Sequence, residues 1–136
     1  MIIAVDFDGT IVEHKYPAIG EELPFATATL RMLTEQNHQL ILWTVRHGKL
    51  LQEAVEWCRE RGVEFYAVNR NFPEEIVDNE EGYCKVNAEL FIDDRNLGGL
   101  PDWGNIYKMV TSGKGWKDIY KETNEKKVVK KKKWLW

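Results

Sequence analysis

The sequence predicts an α/β fold in which a parallel sheet is flanked by helices. Three observations carry this. Short apolar runs recur along the chain, amphipathic segments fall between them, and the runs are continuous rather than alternating. Strands covered on both faces lose the polar alternation of a half-exposed sheet, and strand–helix–strand repetition places them in parallel through right-handed crossovers.

The first run is Ile2-Ile3-Ala4-Val5, ending at Asp6. Pro24 suits the first turn of a helix, and Ala26, Leu30 and Leu33 continue a helical stripe to about Asn37. The second strand spans Gln39–Thr44. Leu51, Ala54, Val55 and Cys58 then mark a second helix, which Gly62 stops. Val63–Val68 reads as a third strand and Ala88–Ile92 as a fourth, with a third helix expected around Pro73–Asn79. Ile106, Tyr107, Met109 and Val110 suit either a fifth strand or a short helix. Trp103 and Trp116 are expected to close a core.

Composition narrows the class. With 136 residues, 43% hydrophobic and 30% charged, the chain can bury a core without staples, and wholesale disorder, collagen and coiled coil are excluded. No apolar run approaches a membrane span, and MIIAVDFDGT lacks the features of a secretory signal. Cys58 and Cys84 fit reduced thiols in a cytoplasmic protein. The net charge of −3 is uneven: residues 113–136 hold nine Lys against Asp118, Glu122 and Glu125, leaving −9 on residues 1–112. Such an acidic body gives no clear nucleic-acid site. The boundary separates an α/β domain, 1–112, from a basic segment, 113–136, read as a solvated or loosely docked tail.

The chemistry gathers at strand ends. The first strand runs into Asp6-Phe7-Asp8-Gly9-Thr10, the second ends in Thr44, and the fourth in Asp93-Asp94. Parallel sheets bind ligands beyond these carboxyl ends. Carboxylates brought together there repel by about 1 kcal/mol at ~4 Å in water and about 4 at an effective dielectric near 20. A hard cation with oxygen ligands is the natural compensation, and Mg²⁺ is usual where phosphate completes the shell. Asp6 and Asp8 share a strand face. Gly9 lets the backbone turn sharply, and Thr10 can hold the loop. An ionised Asp6 can attack phosphorus, while Asp8 can pass a proton to the leaving oxygen.

These residues resemble the haloacid dehalogenase-like (HAD) phosphohydrolase superfamily over roughly residues 1–96. The motif DxDx[TV] stands as Asp6-Phe7-Asp8-Gly9-Thr10, the apolar strand ending in Thr as Leu40–Thr44, the upstream Lys as Lys85, and the acidic pair as Asp93-Asp94. The resemblance implies a three-layer Rossmann-like sheet. It also implies Asp6 as nucleophile, Asp8 as acid and then base, and Thr44 and Lys85 on the transferring phosphoryl group. Mg²⁺ would be held by Asp6, Asp8 through its main-chain carbonyl, and Asp93, with Asp94 in support. The stretches 11–43 and 45–84 leave no room for a large cap domain. An open site must then take its substrate contacts from loops, a partner subunit in a homo-oligomer, or the C-terminal segment. Gly9, Thr10, Arg46 and His47 are candidate substrate contacts, and Lys49 lies near the same end of the sheet. Glu13, His14, Lys15 and Tyr16 occupy the family's flap position, and Trp43 flanks the second motif. Arg95 and Asn96 either brace the carboxylates or touch substrate.

The expected activity is Mg²⁺-dependent hydrolysis of a small phosphorylated metabolite, a sugar phosphate or nucleotide monophosphate. Two alternatives stand beside it: a phosphatase of a macromolecule, and a non-hydrolytic Mg²⁺- and phosphate-binding regulator. Receiver domains also gather acids around Mg²⁺, but their phosphorylated Asp follows the third strand, where this chain has Val68-Asn69-Arg70.

Overall fold

A computed structural model of the chain describes residues 1–77, 84–113 and 116–135. Two compact units divide it, Met1–Leu100 and Pro101–Trp136. The charge step between residues 112 and 113 falls inside the second unit.

The first unit is an α/β layer structure with a Rossmann-like parallel sheet. Strands β1 (Ile2–Val5), β2 (Gln39–Leu42), β3 (Ala67–Val68) and β4 (Leu90–Ile92) lie in the order β3-β2-β1-β4, all parallel. Val5 is in register with both Leu42 and Ile92, and Leu42 with Val68. All four strands therefore finish at one edge. The pairing runs one residue further through Asp6 N–H to the Ile92 carbonyl (3.0 Å), Trp43 N–H to Val5 (2.8 Å) and Asn69 N–H to Leu42 (2.8 Å). The strand order reverses at β1/β4, where ligands collect in open parallel sheets.

The apolar runs do what two-sided burial requires. Ile3, Val5, Leu40 and Leu42 are buried, and so is the opposite-facing row Ala4–Ile41–Ala67, which Val86 covers. Helix α1 (Ala26–Glu35) buries its expected stripe of Ala26, Leu30 and Leu33. It starts two residues after Pro24 because Phe25 takes a left-handed conformation (φ 66°), and Asn37 (φ 66°) turns the chain after it. Helix α2 (Gly48–Glu60) buries Ala54 and Cys58 and ends before Gly62.

Two expectations need correction. Residues 73–77 are not helical: the Glu75 carboxylate folds back to accept from Asn71 N–H (3.0 Å) and Asn71 Nδ2 (3.0 Å), holding a turn. Positions 78 and 79 lie outside the described residues. The third strand shrinks from Val63–Val68 to two residues, although Tyr66 N–H still reaches the Leu40 carbonyl at 2.8 Å.

In the second unit, residues 106–110 resolve to helix rather than strand, within α3 (Trp103–Ser112). Asp102 caps it by accepting from Asn105 N–H at 3.0 Å, and Trp103, Ile106 and Val110 form its buried side. The basic segment, read as a solvated or loosely docked tail, forms α4 (Trp116–Leu135), which packs on α3. Lys126, Lys127, Val128, Val129, Lys130 and Lys131 of α4 are all exposed, so this stretch has no apolar stripe. The side chain of Trp116 lies outside the described residues. Among the described residues, no helix is long and apolar enough to cross a membrane.

Candidate functional site

Beyond the carboxyl edge, the chain alternates between cavity and core. Asp6 and Asp8 line a cavity of about 560 Å³, while Phe7 between them is fully buried, edge-on to Trp57 of α2 at 5.6 Å. The turn follows at once. Thr10 and Ile11 N–H donate back to the Phe7 carbonyl, and Gly9 takes φ 81°. Only glycine serves there, for a second reason: a Cβ on Gly9 would lie 2.3 Å from Asp94 Oδ2.

That close approach completes an acidic cluster. Asp6, Asp93 and Asp94 each offer a carboxylate oxygen, all within 4.8 Å of one another and half-buried. Thr10, itself fully buried, bridges them. Its hydroxyl lies 3.5 Å from Asp6 Oδ2 and 3.4 Å from Asp94 Oδ1, and it accepts from Asp94 N–H at 3.1 Å. Asp93 accepts from Arg95 N–H at 2.7 Å, and Asn96 donates to the Asp93 carbonyl at 2.9 Å. Burial, with the charges of Asp93 and Asp94 adding to it, pushes the Asp6 carboxyl up to about 7 against a lowering bond from Phe7 N–H. Among the described residues, no Lys or Arg forms an ion pair with these three carboxylates.

Asp8 has its own partner. Arg46, with no exposed surface, grips it bidentately through Nε (2.7 Å) and Nη2 (2.8 Å). The remaining guanidinium donors reach the carbonyls of Pro17 (3.2 Å), Ala18 (3.0 Å) and Leu50 (3.5 Å), and the group lies 5.2 Å from the ring centroids of both Phe7 and Tyr16. Its bonds to Asp8 hold Arg46 above its ordinary pKa. Arg46 was expected at the substrate. Its donors are instead committed to Asp8 and to main-chain carbonyls, because a buried carboxylate needs a buried counter-charge.

Thr44, nearly buried, lines the cavity and is set by its neighbours: its N–H donates to Asn69 Oδ1 (2.8 Å) and its hydroxyl accepts from Arg46 N–H (3.1 Å). The other walls come from His14, Tyr16, Trp43, Val45 and Arg95. The loop bearing His14 and Tyr16 is tied at its base, where Glu13 N–H donates to Glu21 and Leu23 N–H to Ile11, both at 2.8 Å.

Asp6, Asp8, Thr44 and Asp93 thus share one cavity, with Asp94 joined to Asp6 and Asp93 behind Gly9 and Thr10. Gly9 and Thr10 build the turn rather than the cavity wall. His47 is the exposed N-cap of α2, outside that wall. Lys85 is exposed and also outside it, its carbonyl accepting from Asn71 Nδ2 at 3.3 Å. Asn69, which fixes Thr44, was not singled out from sequence. Its signal is a polar residue closing an apolar strand in line with Asp6 and Thr44.

The fold and this edge define an α/β protein of Rossmann-like architecture whose polar residues converge at the strand-order reversal. No protein-family model matches the chain, and no curated protein does. It is similar to the solved structure of a conserved protein from Bacteroides thetaiotaomicron, with 61% sequence identity, a TM-score of 0.81, and coverage of 88% of this chain and 97% of that one. The chain belongs to the family of that Bacteroides protein.

Proposed function

We propose that the protein is a capless HAD-type phosphomonoester hydrolase that works with Mg²⁺ through an aspartyl phosphate on Asp6. The observation that carries this reading is the meeting of the Asp6, Asp93 and Asp94 oxygens within 4.8 Å beside a cavity that also holds Asp8 and Thr44. The donor set suits the ion. It is all oxygen, hard and anionic, with three carboxylates brought to within 4.8 Å of one another. Asp6, Asp93 and the main-chain carbonyl of Asp8 would hold Mg²⁺, with Asp94 supporting them through Thr10. When bound, the ion neutralises charge on the transferring phosphoryl group.

The chain's own residues then divide the work. An Asp6 oxygen attacks phosphorus as the bond to the leaving oxygen breaks, and Asp8, which rests as a carboxylate on Arg46 and first takes up a proton from solvent, passes that proton to the leaving oxygen. In the second half, Asp8 takes a proton from water as the water attacks the acyl phosphate, releasing phosphate and restoring Asp6. Arg46 occupies one lone-pair direction on each Asp8 oxygen, and a carboxylate has further acceptor sites. Thr44 and Arg95 face the phosphoryl group from the cavity wall, so Arg95 takes the role that the family pattern gives to Lys85.

The test is release of phosphate from an aryl phosphate by the full chain with Mg²⁺. Turnover should disappear with a chelator and fall at least about a thousandfold in Asp6→Asn, the scale of losing a covalent nucleophile. Activity that survives Asp6→Asn rejects the reading.

A further inference from the structure

We infer that the cavity takes phosphomonoesters whose leaving group carries a flat aromatic ring, in preference to sugar or other aliphatic phosphates. The inference rests on the hydrolase reading above for where the phosphate sits, and on the apolar part of the cavity lining for what lies beyond it. At about 560 Å³ the cavity is in the range that encloses a whole organic ligand, well beyond what a phosphate needs. Besides Asp6, Asp8, Thr44, Asp93 and Arg95, its lining is Tyr16, Trp43 and Val45, with His14 as a polar neighbour. Tyr16 is 42% and Val45 72% exposed, so apolar surface stands open to water next to the reacting centre. A hexose would need a set of convergent donors and acceptors there, whereas a planar ring is matched by aromatic faces.

Both rings are braced before any ligand arrives. Arg46 lies 5.2 Å from the Tyr16 ring centroid, and the same guanidinium bonds the carbonyls of Pro17 and Ala18, fixing the chain just after Tyr16. Trp43 packs on the buried row of Ala4, Ile41, Ala67 and Val86. A wall held in this way gives up little conformational freedom on binding.

The same ring chemistry could reach the site on a nucleoside 5′-monophosphate or on a simple aromatic ester. The experiment therefore compares a purine nucleoside 5′-monophosphate, benzyl phosphate and glycerol 3-phosphate, all esters of primary alcohols with closely matched leaving groups. Steady-state kcat/KM is measured on the full chain with Mg²⁺, and equilibrium binding is measured separately on Asp6→Asn. At least one aromatic ester should exceed glycerol 3-phosphate about tenfold in both measurements, and the better of the two identifies the source. Tyr16→Ala and Trp43→Leu should each cut that ratio about fivefold or more, whereas Tyr16→Phe should keep it. Equal binding of all three esters, or ratios unmoved by both ring deletions, overturns the inference. The two readings fail separately. Turnover without preference leaves the hydrolase and removes the aromatic site, and preferential binding without turnover does the reverse.

Discussion

Replacing Arg46 by Met tests how the site is held together. The side chain has no exposed surface, Asp8 is 7% exposed, and the two share contacts of 2.7 and 2.8 Å. Methionine fills similar space but leaves Asp8 as a buried charge without its partner. Breaking such a pair on one side costs about 3–5 kcal/mol. The carbonyls of Pro17 and Ala18 lose a donor too, but they lie in an exposed loop where water can replace it, so the pair term dominates. A domain of this size has about 5–15 kcal/mol in total, so the variant should be folded but fragile. Urea unfolding followed by tryptophan fluorescence measures the loss, with an unchanged m-value as the check that the reference state has not moved. The double variant Asp8→Asn/Arg46→Met removes the stranded charge as well. It should be more stable than the two single losses added together, with a coupling of about 2–3 kcal/mol. A loss below about 1 kcal/mol in Arg46→Met, or an additive cycle, refutes the idea that Arg46 exists to compensate Asp8.

Two further outcomes follow from the acidic cluster. Asp6 sits at about 7 in the folded chain against an ordinary 3.8, so the native state keeps a proton that the unfolded chain has already released. Stability of the metal-free protein should therefore fall as pH rises from about 4 to 7 and level off above. Asp6→Asn should flatten that slope and stabilise the protein at pH 8 by about 2–4 kcal/mol, readable in urea titrations with chelator present, and saturating Mg²⁺ should narrow the gap. A wild-type profile that rises through this window contradicts the burial and crowding of Asp6. Gly9→Ala combines a left-handed φ with a Cβ 2.3 Å from Asp94 Oδ2, and since Thr10 anchors Asp94, the carboxylate cannot swing aside freely. A loss of about 1–3 kcal/mol in thermal or urea unfolding is expected, and a neutral substitution would show that the turn is looser than drawn.

The parts of this architecture that were legible in the sequence are those where local pattern and global packing agree. Ile2–Val5 and Gln39–Leu42 are apolar throughout because both sheet faces are covered, and the stripe of Ala26, Leu30 and Leu33 is buried as its spacing demands. The strand-end polar residues Asp6, Thr44 and Asp93 were readable for the same reason, since each closes an apolar run at the carboxyl end of a parallel strand. What stayed hidden depends on contacts distant in sequence. Arg46 looks like loop polarity until Asp8, 38 residues away, is seen beneath it. The turn at residues 71–75 is held by the Glu75 carboxylate folding back and by Glu75 N–H on the Phe72 carbonyl (3.1 Å), which no periodicity records. The helix over the basic end stayed hidden because its lysines follow no amphipathic period.

Asp6 and Asp8 are two residues apart, yet they meet opposite electrostatic surroundings, and Phe7 is the divider. Its burial turns both carboxylates toward one cavity while the strand end carries them to different neighbours. Asp6 joins Asp93 and Asp94, where like charges accumulate; Asp8 meets a guanidinium that is spent on it and on main-chain carbonyls. The internal pair takes Asp8 out of the charge that a bound cation has to offset, so that charge belongs to three carboxylates rather than four. A nucleophile benefits from being left unpaired until metal and phosphate arrive, and a proton carrier benefits from a fixed orientation. On the proposed hydrolase reading, Arg46 and Thr10, neither of which belongs to the cavity wall, set which aspartate serves as nucleophile and which as proton carrier.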